Sequence, residues 1–81
     1  MYTLRISPVI AREWQARCIA DVIPALSIWD GAAKLEVDAA TASEIASDCR
    51  FYIDPKAVDA TGAERTAYRG LLRQIEKQMA A

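Results

Sequence analysis

The chain has 81 residues, of which 53% are hydrophobic and 26% are charged, and it carries a formal net charge of −1 with no histidine. This size and composition predict one small globular domain and argue against disorder or low complexity. No apolar run approaches the roughly 18 residues of a membrane-spanning helix. Because residues 1–6 also lack the basic and then apolar order of a signal peptide, we expect a cytoplasmic protein.

The first segment predicts a strand followed by a helix. Residues 2–6 alternate between apolar and polar, which is the period of a half-buried strand. Ser7 before Pro8 is a typical helix start, because serine caps a free amide and proline at the first helical position loses no hydrogen bond. The helix should run to about Val22, because Pro24 disfavours helical geometry in the residue before it.

The pattern in residues 25–38 predicts a β-hairpin. Apolar residues alternate on both sides of Asp30-Gly31, a dipeptide typical of tight turns between antiparallel strands. The alternating residues are Leu26 and Ile28 before the turn, and Leu35 and Val37 after it. With the first segment they predict a sheet of about three strands.

A second helix is expected after this hairpin. Asp38 and Thr41 both offer helix caps, and Thr41-x-x-Glu44 matches a capping box, in which each side chain binds the other residue's amide. Asp54-Pro55 should end the helix.

The last helix should begin at Thr61 or Gly62, after a linker of residues 54–62, and continue to about Met79. The predicted order is strand, helix, strand, strand, helix, helix. It corresponds to an α+β, two-layer fold, with three helices packed on one face of a small antiparallel sheet.

The two cysteines are 31 positions apart, which fits neither a redox motif nor a zinc cluster. Cys18 follows Trp14 by four residues and Cys49 follows Ile45 by four, so both are predicted on apolar helix faces as buried, reduced thiols. A disulfide between the two helices is the alternative.

A row of cations at steps of four marks the last predicted helix: Arg65, Arg69, Arg73 and Lys77, here called the basic row. On a helix these side chains share one side, away from the apolar residues. Such a face can contact phosphates or an acidic protein surface. The alternative is a solvated face without a partner, because cations also favour the C-terminal half of a helix by opposing its dipole.

Gly70 lies in the middle of this helix and on the same side. Glycine there costs about 1 kcal/mol relative to alanine. It indicates either close approach of a partner or a tolerated imperfection in the helix.

The aromatic residues divide into predicted core and candidate anchors. Trp14 and Tyr52 fall on apolar helix faces and are expected in the core. Trp29 adjoins the predicted turn and Phe51 falls off the apolar face of its helix, so either is a candidate exposed anchor of a protein interface.

Charge is distributed unevenly along the chain. Residues 1–29 have three arginines against two acids, residues 30–61 have seven acids against three bases, and residues 62–81 have four bases against two acids. The acidic middle offers a third candidate surface, a negative patch that could mimic nucleic acid. Capping, the helix dipole and a turn already account for three of its residues. The patch comprises Asp38, Glu44, Asp48, Asp54 and Asp59.

Catalysis is the least supported class of function. Without histidine, acid and base chemistry would fall to carboxylates, and no pair of them is predicted to converge in an apolar pocket. We therefore expect no enzyme activity, no cofactor and no metal site.

Residues 48–75 provide a resemblance. Two segments are similar to the closing helices of short proteins from phage and prophage genomes: Asp48-Cys49-Arg50-Phe51-Tyr52-Ile53-Asp54-Pro55 and Glu64-Arg65-x-Ala67-Tyr68-Arg69-x-Leu71-Leu72-Arg73-Gln74-Ile75. In format the chain also resembles the anti-CRISPR proteins, which are small single-domain chains with no cofactor motif. That resemblance implies stoichiometric binding to a CRISPR effector where the effector would hold guide or target nucleic acid.

These observations lead to three hypotheses. The first is a non-enzymatic inhibitor, of mobile-element origin, that binds a host CRISPR effector through the basic row, Gly70 and either Trp29 or Phe51. The second is a small protein that binds nucleic acid directly through the same row, which the negative net charge disfavours. The third is a small homodimer whose exposed helix is simply solvated.

Overall fold

The computed structural model describes residues 1–56 and 60–80, and within them the fold is α+β, as predicted. The described residues contain two strands and four α-helices, where three of each were expected. In chain order the elements are β1 (Tyr2–Arg5), α1 (Pro8–Ala16), α2 (Ile19–Val22), a 3₁₀ helix (Pro24–Ile28), β2 (Lys34–Val37), α3 (Ala39–Ile53) and α4 (Gly62–Ala80). Within these residues, no helix combines the length and the apolarity needed to cross a membrane.

The predicted strand around Leu26 and Ile28 is wrong, because this segment is the 3₁₀ helix. Its amides bond three residues back, from Leu26 to the Ile23 carbonyl at 2.9 Å and from Trp29 to the Leu26 carbonyl at 3.0 Å. Pro24 suits the first turn of such a helix, since its missing N–H has no partner there. Leu26 is buried, whereas Ile28 is 81% exposed. The two residues therefore do not share a face as strand neighbours would.

Asp30-Gly31 forms a turn, but the predicted hairpin is wrong because the turn joins the 3₁₀ helix to β2. Asp30 Oδ1 accepts a hydrogen bond from the Ala32 amide at 3.2 Å. Gly31 has φ +97°, which side chains rarely allow, and a Cβ there would lie 3.0 Å from Gln15 Nε2. The backbone conformation at this position therefore favours glycine.

The first predicted helix is interrupted, and this changes the environment of Cys18. Ser7 caps α1 through the Ile10 amide at 3.3 Å, as expected, but α1 ends at Ala16. Cys18 adopts the left-handed conformation with φ +51° before α2 begins. Because the break changes the helical phase, Ile19 is buried and Cys18 is exposed. The prediction of a buried Cys18 is thus wrong, while Cys49 is buried and both thiols are free.

The two strands form an antiparallel pair whose outer edge on the β1 side is covered by α4. Leu4 lies opposite Leu35, and Arg5 lies opposite Lys34. Gln74 Oε1 accepts from the Arg5 amide at 2.7 Å and its Nε2 donates to the Arg5 carbonyl at 3.0 Å. Gln78 makes the same two bonds with Thr3, at 3.0 and 2.8 Å. Two glutamine amides therefore take the place of a third strand along β1.

Local capping sets the starts of α3 and α4. Asp38 is the cap of α3, because its Oδ1 accepts from the Thr41 amide at 2.8 Å. The predicted capping box at Thr41 is wrong, since Thr41 lies inside α3 and is buried. A capping box does exist at the start of α4, where Thr61 and Glu64 exchange bonds of 3.1 and 3.2 Å.

The core lies around α4, which packs along α3 and also contacts α1 and β1. Trp14 is fully buried as predicted, and Tyr52 is partly buried against the core. The largest fully buried side chains come from every layer of the fold and are Trp14, Tyr68, Leu4, Ile10, Leu26, Ile45, Leu71, Ile75 and Cys49.

Candidate functional site

Three of the four cations in the basic row are exposed along α4: Arg69, Arg73 and Lys77. Arg65 is half-buried, and its Nε is shielded from solvent without a hydrogen-bond partner among the described residues. Within residues 1–56 and 60–80, no cation of the row forms an ion pair with a carboxylate. The usable part of the row is therefore its C-terminal three side chains.

An open groove of about 530 Å³ lies along α4, and Arg69, Arg73 and Lys77 are not among the residues that line it. One wall is the small-residue side of α4, and the other is formed by Arg5 and the start of α1. We call it the α4 groove. Its α4 wall includes Ala63, Thr66, Ala67, Gly70 and Gln74, and its other wall includes Arg5, Ser7 and Val9.

Gly70 lies in the wall of the α4 groove and is exposed. A Cβ built at this position meets nothing within 4 Å, so the fold itself does not require glycine there. The absence of a side chain leaves the helix backbone open to the groove.

Cations border the α4 groove on both sides. Arg73 lies three residues after Gly70 and Lys77 three after Gln74, which places both on the adjoining side of α4. Arg5 lines the opposite wall. The arrangement suits an anionic group that enters the groove between them.

Glu76, which directly precedes Lys77, is directed towards α3. Its Oε2 lies 4.0 Å from Arg50 Nη2, and both side chains are more than half exposed. A surface pair of this kind contributes little to stability. It does link Arg50 to the border of the basic row.

Phe51 is an exposed apolar side chain, as the sequence allowed, with 51% of its surface accessible. Its ring meets Tyr52 edge-on, with centroids 5.6 Å apart. Tyr52 in turn contacts Arg17 and stacks on Tyr68 of α4, whereas Arg50 meets Glu76 of α4. Phe51 is therefore an exposed contact point on α3.

Trp29 is held by the fold and is only partly exposed. Its Nε1 donates to the Ala32 carbonyl at 2.9 Å, and its ring packs edge-on against Trp14 at 5.3 Å between centroids. These contacts fix the turn before β2. Of the two candidate anchors, Phe51 is the more accessible.

A polar cluster that the sequence analysis did not identify joins three helices. The guanidinium of Arg17 donates to both carboxylate oxygens of Asp48, at 3.1 and 2.8 Å, and to the Tyr68 hydroxyl at 3.1 Å. It also lies 4.3 Å from the centre of the Tyr52 ring, which stacks on Tyr68. Only the i, i+4 spacing of Asp48 and Tyr52 on one helix was visible in the sequence.

Burial shifts the titration of this cluster. Burial opposes the charged form of Arg17, but the hydrogen bonds and the charge of Asp48 outweigh it, so the pKa of Arg17 is raised. Burial also raises the pKa of both Tyr52 and Tyr68 above the usual tyrosine value. All three groups therefore keep one protonation state near neutral pH, and the cluster acts as a structural link between helices.

Three acids of the candidate negative patch have local partners among the described residues. Asp48 is engaged by Arg17, Asp38 caps α3, and Asp54 accepts from the Lys56 amide at 2.9 Å. Glu44 is exposed on α3, and Asp59 lies outside the described residues. Among the described residues, no three acidic or thiol side chains are grouped so that they could hold a metal ion.

Comparison of the chain with protein-family models, with curated proteins and with solved structures gives no match.

Proposed function

We propose that this protein is a non-catalytic binding protein that inhibits a host CRISPR effector, in the manner of anti-CRISPR proteins. It attaches through the outward face of α4 to an acidic surface of the effector beside the cationic channel for nucleic acid, and thereby blocks access to that channel. The proposal places its action in the host cytoplasm. It rests on the shape and charge of α4 and on the resemblance in format described above.

One observation supports the binding surface most strongly. Arg69, Arg73 and Lys77 are exposed without an ion pair in the described part of the chain, and Arg73 and Lys77 adjoin the side of α4 that lines the groove at Gly70 and Gln74. Elsewhere in the described residues, Arg17 and Arg50 have acidic partners, at 2.8 and 4.0 Å, whereas the other cations outside the row form no ion pair. Unpaired cations next to a concave surface favour a partner that supplies negative charge.

A protein partner fits the charge of the whole chain better than nucleic acid does. The net charge is −1, so the long-range field does not attract a polyanion. Three cations would also neutralise few phosphates, so direct binding to nucleic acid through them would be weak at physiological salt. Phe51, which is 51% exposed, offers an apolar contact typical of protein interfaces.

An electrophoretic assay separates the proposal from direct nucleic-acid binding. Labelled target DNA is run with the protein alone, with guide-loaded CRISPR effectors of several types, and with effectors preincubated with the protein. We expect the protein alone to leave the DNA unshifted at physiological salt, and to abolish the shift caused by one effector. A band retarded by the protein alone would favour direct nucleic-acid binding, and unchanged shifts by all effectors would contradict the proposed inhibition.

A matched pair of variants assigns the activity to α4. Arg69→Glu with Arg73→Glu reverses two charges of the basic row, and Arg12→Glu with Lys56→Glu makes the same change in net charge at exposed positions elsewhere. Inhibition should be lost in the first variant and retained in the second. Equal inhibition by both would place the contact on another surface.

A further inference from the structure

The two edges of the small sheet are treated differently by the fold. On β1, the backbone groups of Thr3 and Arg5 that point away from β2 are bound by the side-chain amides of Gln78 and Gln74. An edge strand with unbound backbone groups is a template for another strand. On the β1 side, the glutamines of α4 occupy these backbone groups, so another strand cannot pair there.

The edge of β2 has no such cover in the described residues. Thr3 lies opposite Glu36 and Arg5 opposite Lys34, and the outward bonds of Thr3 and Arg5 make these the pairs that do not bond across the sheet. The amides and carbonyls of Lys34 and Glu36 therefore point away from β1. No hydrogen bond from residues 1–56 or 60–80 reaches them.

The charges along β2 are complementary between two antiparallel copies of the strand. Lys34 and Glu36 project from the same face of the sheet and are both exposed, with buried Leu35 between them on the other face. In an antiparallel pairing of two copies centred on Leu35, Lys34 of each copy lies opposite Glu36 of the other. The residues that face each other between the two copies are therefore those whose amides and carbonyls point away from β1.

We infer that β2 is a self-association edge, which pairs antiparallel with β2 of a second copy about a twofold axis at Leu35. The pairing forms four backbone hydrogen bonds and two Lys34–Glu36 ion pairs. It converts the two-stranded sheet into one of four strands. Such an interface is isologous, because the same residues contribute from both copies.

Charge selects this register over its neighbours. Hydrogen bonds between the two β2 strands form only where residues whose backbone amides and carbonyls point away from β1 face one another. The nearest other registers that meet this condition place the twofold axis at Lys34 or at Glu36. Either shift places two like charges directly opposite, which is destabilising in a sheet. The exposed charges that discourage pairing with other strands therefore permit this one alignment.

The charge pattern within one copy gives independent support. Arg5 and Lys34 are directly opposite across the sheet, and neither forms an ion pair among the described residues. Like charges in this position oppose each other. Glu36 of a second copy would come to lie beside Lys34 and offset that repulsion.

The proposed contact leaves the α4 face free, because α4 lies along the opposite edge of the sheet. It is also small. A four-residue strand pair buries far less than the about 1,200 Å² of a stable interface, so association should be weak and dependent on concentration.

Sedimentation velocity of the full chain at concentrations up to about 1 mM tests the inference. We expect a reversible monomer–dimer equilibrium for the wild type. Lys34→Glu alone and Glu36→Lys alone should each abolish it, because both place like charges opposite each other. The exchange Lys34→Glu with Glu36→Lys should restore it.

Mixing the two single variants is the decisive test of the proposed Lys34–Glu36 pairing. Each is monomeric alone, but together they form a heterodimer in which both cross-strand pairs have opposite charges. Lys56→Glu serves as a control that changes net charge away from β2 and should dimerise like the wild type. A monomeric wild type at the highest concentration, or a mixture that stays monomeric, would overturn the inference. Neither outcome bears on binding by α4, which the electrophoretic assay measures separately.

Discussion

Arg17 and Asp48 form a two-pronged ion pair that connects the end of α1 to the middle of α3, with nitrogen to oxygen distances of 3.1 and 2.8 Å. The two side chains are 19% and 10% exposed, so the pair is largely removed from solvent. Tyr68 extends the link to α4. The break at Cys18 lies next to Arg17, and the tertiary link holds the chain directly before it.

Removing one partner of this pair should destabilise the protein markedly. Asp48→Ala leaves the Arg17 guanidinium largely buried without a counter-charge, and we expect a loss of about 2 kcal/mol in the free energy of unfolding. Arg17→Met with Asp48→Leu should recover at least half of that loss, because no unpaired charge remains. Urea denaturation measures both. Glu44→Ala, an exposed acid on the same helix, is the control and should stay within about 0.5 kcal/mol.

Two substitutions at Gly70 separate helix stability from use of the α4 groove. Gly70→Ala should stabilise the fold by about 1 kcal/mol, because alanine is the better helix former and a Cβ there meets nothing within 4 Å. Thermal unfolding should show a rise of roughly 4–8 °C for a domain of this size. Gly70→Leu should also fold but fill the groove and prevent effector inhibition. Full inhibition by the leucine variant would show that the groove is not used.

The two thiols should differ sharply in reactivity. Cys18 is exposed, whereas Cys49 is buried and burial raises its pKa to about 12, so it lacks the reactive thiolate at neutral pH. Titration with a disulfide reagent at pH 8 should detect one fast thiol in the native protein and two after denaturation. Two fast thiols in the native state would contradict the burial of Cys49, and none after denaturation would indicate a disulfide.

Because the pKa of Cys49 is raised, we expect the free energy of unfolding to decrease at alkaline pH. In the unfolded chain the thiol loses its proton near the ordinary value of about 8.5, while in the folded protein it stays protonated until about 12. The unfolded state therefore binds fewer protons in this range, and the free energy of unfolding should fall as pH rises through it. Cys49→Ala should reduce the steepness of that fall, measured by urea denaturation between pH 8 and pH 10.

Structure that depends on neighbouring residues was predictable from the sequence. Ser7 and Pro8 start α1 and Thr61 starts α4, because capping needs only residues a few positions apart. The strand expected at Leu26 did not form. Alternation over only two apolar residues does not distinguish a strand from a 3₁₀ turn that buries one of them. The α+β class survived this error because β1 and β2 pair directly.

Structure that depends on distant residues was not predictable. The left-handed conformation of Cys18 has no local signal such as glycine, and it occurs beside an arginine whose partner lies 31 residues away. The distribution of charge along the chain put Asp48 in a candidate acidic patch, because it does not show that Arg17 is its partner. For the candidate site, the steps of four in the basic row predicted the exposed side of α4, but the half-burial of Arg65 and the groove formed with Arg5 depend on tertiary packing.

The central claim is that the outward face of α4 binds a CRISPR effector. It is tested most directly by capturing, on immobilised protein, the effector whose DNA shift the protein abolishes. The wild type, Arg69→Glu with Arg73→Glu, and Arg12→Glu with Lys56→Glu are compared at equal loading, after thermal unfolding has shown that all three are folded. We predict that reversal of the basic row lowers affinity for the effector by at least about tenfold, while the control pair stays within about twofold of the wild type. Undiminished capture by the basic-row variant would contradict the account.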